Sequence, residues 1–211
     1  MKKLWLFHAG GDLEHIRHEI LRDGQYEIAG VLALALEEGG YGTPQPPDKA
    51  ILAQARQDGA ACFIIGDARL LNQSRLVAYM AVKGGGGCII PLKAPSSSVA
   101  DGVKLRENVW IDHAARVLPG VSIGANTWVM HNSELGTNCK VGSSCWIGPN
   151  CQISERATLG KNCTLGHGTV IGPDVTLPDW STIGSNVTIT QSPGTTLFID
   201  PRFRAPVRIF N

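Results

Sequence analysis

The chain carries little net charge: 19 Lys and Arg stand against 18 Asp and Glu, leaving +1 at neutral pH. Nucleic acids and anionic membrane surfaces are held by basic patches, so this balance argues against either partner. Long apolar runs are also missing, and no stretch approaches the ~20 consecutive apolar residues of a membrane span. Met1-Lys2-Lys3 resembles the start of a signal peptide, but the apolar run from Leu4 to Phe7 is far too short for one, and Asp12 and Glu14 soon follow. It reads as the first buried strand of a cytoplasmic protein. Metal-ligand spacings are absent as well. No Cys-x-x-Cys or His-x-x-x-His pair occurs among six cysteines and six histidines, so a zinc site has weak support and no metal is expected.

What the chain does have is a period. From Val99 to Ile189 every sixth position is aliphatic, including Leu105, Ile111, Val117, Ile123, Val129, Leu135, Val141, Ile147 and Ile153. At the overall hydrophobic content of 43%, the fifteen hits from Leu105 to Ile189 would arise by chance roughly three times in a million. Glycine follows the aliphatic at 124, 136, 142, 148, 160, 166, 172 and 184, where a sharp corner is easiest without a Cβ. Four residues after each aliphatic comes a small or β-branched residue, among them Cys139, Cys145, Cys151 and Cys163. This is the pattern of a hexapeptide β-solenoid. Three hexads make a triangular coil of 18 residues, and five coils stacked at about 4.8 Å give a prism roughly 24 Å tall.

The cysteines fit that scheme as small apolar filler of the inward column. Cys145 and Cys163 lie one coil apart, but a cytosolic chain keeps them reduced. Cys62 and Cys88, in apolar strand contexts, read as core.

Before the repeats the texture changes. Strands are expected at 4–7, 26–34, 61–65 and 88–90, with helices at 13–21, after Pro47 and over 68–82. Alternating strands and helices imply a small parallel α/β unit. The boundary falls in the Pro- and Ser-containing stretch from Lys93 to Ser98, giving domains 1–92 and 93–211. Gly10-Gly11 sits between the first strand and first helix, where backbone amides and the helix dipole favour an anion. It is equally a plain tight turn. Asp12 stabilises the helix N-terminus there but would repel a phosphate.

His8-Ala9-Gly10-Gly11-Asp12, Tyr26-Glu27-Ile28-Ala29-Gly30-Val31-Leu32, Ile65-Gly66-Asp67 and Ala94-Pro95-Ser96-Ser97 resemble motifs of the hexapeptide-repeat sugar acetyltransferases of the sialic-acid O-acetyltransferase and bacillosamine-type N-acetyltransferase group. The resemblance implies a Rossmann-like nucleotide-sugar domain, here with Gly10, Gly11, Asp12 and Gly66 toward the substrate, joined to a left-handed parallel β-helix. It also implies acetyl-CoA as co-substrate, a sugar or nucleotide-sugar acceptor in glycan biosynthesis, a homotrimer, and sites between adjacent prisms. Three departures stand out. The family's general-base histidine falls on Thr137, and a second histidine that contacts the acyl donor falls on Trp146. The usual histidine of the first turn is Asp12.

Other histidines occupy the surface. The 18-residue spacing sets His113, His131, Pro149, His167 and Ser185 on one column, and Trp110, Trp128 and Trp146 on another. By resemblance, the column of His167 and Ser185, with Trp146 nearby, is the wall of the donor groove. The chemistry needs a base to take a proton from the attacking hydroxyl or amine, and imidazole has the suitable unperturbed pKa. Val129-Met130-His131-Asn132 repeats the family's Val-x-His-Asp pattern one hexad early, with Asn132 in place of the acidic partner. His131 and His167 are the candidate bases; histidines packed in a trimer interface are the alternative. The tryptophans read as an interface stripe ahead of a sugar platform. The functional alternatives are a non-catalytic trimeric ligand- or partner-binding relative and, more remotely, a γ-class carbonic anhydrase with three histidines on one zinc.

Overall fold

The computed structural model describes residues 1–10, 13–34, 47–66, 73–199 and 207–208. Contacts divide the chain into two units, Met1–Pro95 and Ser96–Asn211.

In the first unit β1 (Lys2–Ala9) lies between β2 (Tyr26–Ala33) and β3 (Ala61–Gly66) in a parallel sheet of order β2-β1-β3. Parallel neighbours need long crossovers, and α1 (Leu13–Asp23) and α2 (Lys49–Gln57) lie in them, while α3 (Gln73–Gly84) follows β3. β3 is buried from Cys62 to Gly66, as a strand covered on both faces should be, whereas β2 alternates half-buried and exposed positions at the sheet edge. The Asp48 carboxylate caps α2 by accepting the Ala50 N–H at 2.8 Å, and the helix buries Leu52 and Ala55 while Ile51 remains half-buried.

Two expectations for this unit need correction. The strand at 88–90 is reduced to one parallel bridge between Cys62 and Ile89. Ile89 turns inward at that bridge, so its neighbour Cys88 faces solvent, and only Cys62 is a core residue. The third helix is described from Gln73 to Gly84, and positions 68–72 of its expected span lie outside the described residues.

The second unit is a parallel β-helix of three ladders. The first stacks Ser98–Val99, Arg116–Val117, Glu134–Leu135, Gln152–Ile153, Val170–Ile171 and Thr188–Ile189; the second stacks Ser122–Ile123, Lys140–Val141, Thr158–Leu159 and Thr176–Leu177. The third rises from Trp110–Ile111 through Trp128–Val129, Trp146–Ile147, Thr164–Leu165 and Thr182–Ile183 to Leu197–Ile199. Partners lie eighteen residues apart, as Trp110 with Trp128, until the last rung pairs Thr182 with Phe198, sixteen away. Every sixth residue from Ile111 to Ile183 is buried, and Leu105 packs against that core without joining a strand.

The corners are made differently from expectation. The left-handed residue is the third after each aliphatic, most often asparagine: Asn126, Asn132, Asn138, Asn150, Asn162 and Asn186 have φ between 57 and 59°. Asparagine tolerates this conformation because its short amide bonds locally. The glycine directly after the aliphatic serves close approach instead. A Cβ at Gly142 would stand 2.4 Å from the Gly160 carbonyl oxygen, and one at Gly148 would stand 2.6 Å from that of Leu165.

The small inward column is also more than apolar filler. Thr127 Oγ1 and Ser133 Oγ donate to the carbonyls of Gly142 and Gly148, both at 2.7 Å, and Cys145 and Cys151 thiols do the same to Gly160 at 3.1 Å and Gly166 at 3.0 Å. A residue that is both small and a donor fits the slot and satisfies a carbonyl there. None of the six cysteines is in a disulfide, Cys145 and Cys163 included.

Burial pushes the Cys139 thiol from its ordinary 9.0 up to about 12 and the Cys151 thiol up to about 11. A raised folded-state pKa keeps its full stabilising contribution below about pH 9, where both states hold the proton, and loses it as pH rises toward the folded value. Each such thiol should therefore steepen the alkaline loss of stability by about 1.4 kcal/mol per pH unit between its two values. Urea denaturation at a series of pH values above 9 should show this slope, shallower in Cys139→Ala. An equal slope in that variant would contradict it.

Candidate functional site

The third ladder and the corner that follows it carry the polar side chains of interest. On the ladder Trp128 stacks against Trp146, with ring centroids 5.8 Å apart and planes 22° apart, and Trp110 lies 6.4 Å beyond Trp128. Trp110 and Trp128 are buried and only Trp146 is half-exposed, so the tryptophan column is not the open stripe expected from the spacing. Their rings fill space along the ladder, as large side chains at consecutive rungs do when covered.

At the corner the column of histidines is real. His113 and His131 stack with centroids 5.1 Å apart and planes 15° apart. The backbone repeats the same rise. Asn132 N–H donates to His113 O at 3.2 Å, Asn150 to His131 at 3.0 Å, Gly168 to Pro149 at 2.9 Å and Asn186 to His167 at 2.8 Å. His167 thus stands two rungs above His131, about 10 Å away at ~4.8 Å per rung, with Pro149 between. Its side chain and that of Ser185 are exposed. The structure brings His113 and His131 together and leaves His167 as a separate group on the same wall.

A carboxylate missed by the sequence reading sits beneath the pair. Asp112 is fully buried, its Oδ1 accepting the His113 backbone N–H at 2.8 Å and its Oδ2 accepting the His131 backbone N–H at 3.2 Å. The two oxygens also lie 3.6 Å from His113 Nδ1 and 3.5 Å from His131 Nδ1, at ion-pair distance. Both imidazoles keep about two-fifths of their side-chain surface open, 41% for His113 and 37% for His131. Asp112 occupies the slot after the aliphatic that holds Gly148, Gly166 and Gly184 in later coils. An acid in that column was the available signal. The acidic partner of His131 was sought at the next residue, whereas stacking supplies one from nineteen positions earlier.

The remaining predicted residues fall in three groups. Asn132 is exposed and holds the left-handed corner at φ 58°, as Asn150 and Asn186 do one and three coils on. Thr137 lies on the next corner, where its carbonyl accepts the Arg156 N–H at 3.0 Å. In the first unit Gly10 ends β1 at φ 84°, while Gly11 and Asp12 lie outside the described residues. Gly66 is buried where α3 crosses β3, and a Cβ there would stand 2.7 Å from that of Arg75. Packing against Arg75 thus requires a residue without a Cβ at this position.

The repeat, the ladders and the corner define a hexapeptide β-helix protein. Residues 138–173 and 156–191 match the family described as bacterial transferase hexapeptide (six repeats). No match was found among curated protein sequences. In fold the chain is similar to a perosamine N-acetyltransferase variant from Caulobacter crescentus in complex with CoA and GDP-perosamine, at TM-score 0.76 and 19% identity over 91% of this chain and 90% of that one. It is also similar to the acetyltransferase domain of PglB from Neisseria gonorrhoeae, at TM-score 0.64 and 16% identity over 99% and 100% of the two chains. WeeI from Acinetobacter baumannii matches at TM-score 0.58 and 12% identity over 91% and 98%. Among the described residues no helix is long and apolar enough to cross a membrane.

Proposed function

We propose that the protein is an acyl-CoA-dependent transferase, with acetyl-CoA as donor, acting on an amine or hydroxyl of a sugar or nucleotide-linked amino sugar in glycan biosynthesis. The observation that supports this best is the half-exposed His131 imidazole, backed by a buried carboxylate, on the wall that also carries His167 and Ser185. In the reaction the acceptor nitrogen or oxygen attacks the thioester carbonyl while His131 takes its proton. The tetrahedral intermediate then expels CoA thiolate, and the imidazolium returns the proton to that sulfur. Trp146, His167 and Ser185 are the proposed donor contacts; Gly10, Gly11, Asp12 and Gly66 belong to the proposed acceptor domain. A left-handed winding, a Rossmann-like first domain and a cytoplasmic homotrimer complete the proposal.

Fold-level support comes from neighbours solved with CoA and GDP-perosamine and with acetyl coenzyme A. A ligand that binds only the native state stabilises it, by about 2.7 kcal/mol at a hundred times its Kd. Acetyl-CoA should therefore raise the unfolding temperature by several degrees. With a panel of nucleotide-linked amino sugars, free thiol should then be released in step with acylated product. Neither a shift with acetyl-CoA nor thiol release with any acceptor would sink the proposal and leave the non-catalytic binding protein.

A further inference from the structure

We infer that Asp112 is a positioning residue for the base: its buried carboxylate fixes the ring of His131 with Nδ1 protonated, leaving Nε2 as the atom that accepts the substrate proton. The inference rests on the assignment of His131 as base, and it adds a residue to which no role has been given.

The geometry carries it in three steps. First, Asp112 cannot turn away. Two backbone N–H groups, of His113 and His131, bind its two oxygens separately, and its own N–H donates to Val129 O at 2.9 Å. Second, each oxygen faces one imidazole through Nδ1, at 3.6 and 3.5 Å. A carboxylate held beside a ring nitrogen favours the tautomer that carries its proton on that nitrogen, because the other tautomer sets a lone pair against the anion. Third, the His113 ring stacked at 5.1 Å restricts rotation of His131 from one face. The arrangement therefore reproduces the base-and-orienter logic of a catalytic pair, with the orienter delivered by the coil below rather than by a neighbour in sequence.

The test separates the inference from the reading on which it rests. In protein labelled with 15N at histidine, ring-nitrogen shifts measured at about pH 8.5, well above the ordinary imidazole value, should show His131 as the Nδ1–H tautomer in the native chain. In Asp112→Asn the fixed preference should be lost, and kcat should fall on the order of 10²- to 10⁴-fold with the KM for acetyl-CoA changed by less than about threefold. Asp112→Glu should restore part of both, and the unfolding temperature of each variant checks that it has folded. An Nε2–H tautomer in the native chain, or the same tautomer in Asp112→Asn, overturns the inference. Stoichiometric zinc retained through dialysis against a chelator overturns it as well, because Asp112 would then be a metal ligand and not an orienter. A tautomer change without loss of kcat keeps Asp112 as the orienter and removes His131 as the base.

Discussion

Replacing His131 by alanine should lower kcat for acyl transfer on the order of 10²- to 10⁴-fold while leaving acetyl-CoA affinity within about threefold. The physical reason is that the proton is transferred in the transition state, so its acceptor contributes little to holding the donor beforehand. His167 supplies the contrast. It stands two rungs higher on the same wall with its side chain exposed, so His167→Ala should raise the KM for the donor and change kcat much less. Steady-state kinetics on the two variants, with acetyl-CoA binding measured independently, decides the matter. If the roles come out reversed, the base is His167; if neither variant loses kcat, proton removal does not limit turnover and a general-base mechanism fails.

The largest effect on stability is expected at a position with no chemistry. Gly142→Ala would place a Cβ 2.4 Å from the Gly160 oxygen and 2.5 Å from its carbonyl carbon, both backbone atoms of the next coil. Neither can move unless the coils separate, and separation lengthens every ladder hydrogen bond at that level. Overpacking of this kind costs about 3 kcal/mol. Gly102→Ala is the comparison. Gly102 has φ 81° with nothing within 4 Å of an added Cβ, so only backbone strain of about 1–2 kcal/mol applies. Urea denaturation should rank Gly142→Ala as the more damaging. The opposite ranking would return the glycine to its expected role at the corner and discard close approach as its cause.

The two positions illustrate what could be read from residues alone. The interval between aliphatics implied the eighteen-residue register, and with it the stack of His113 on His131, because every coil of a solenoid repeats the geometry of the one below. Why a glycine stands at 142 was not legible. Corner conformation and coil contact both select for the smallest side chain, and only coordinates distinguish a positive φ from a near backbone. Asn132 carries two readings for a related reason. It occupies the place of an acidic partner in a familiar tetrapeptide, yet it is also one of a series of corner asparagines. Cys88 failed as a core residue because an apolar run gives no sign of which neighbour turns outward when the strand shrinks to a single bridge.

By itself the sequence determined the repeat, its register, the inward columns and which side chains share a wall, since these follow from one period applied over many coils. It also indicated the alternation of strands and helices in the first unit. The tertiary structure alone decided that Asp112 meets two imidazoles, that Trp110 and Trp128 are covered, and that small inward residues bond the carbonyls of the next coil. Periodicity specifies direction from the axis, whereas these contacts depend on distances of a few ångströms, most of them between residues fifteen to nineteen apart, which no pattern of residue types encodes.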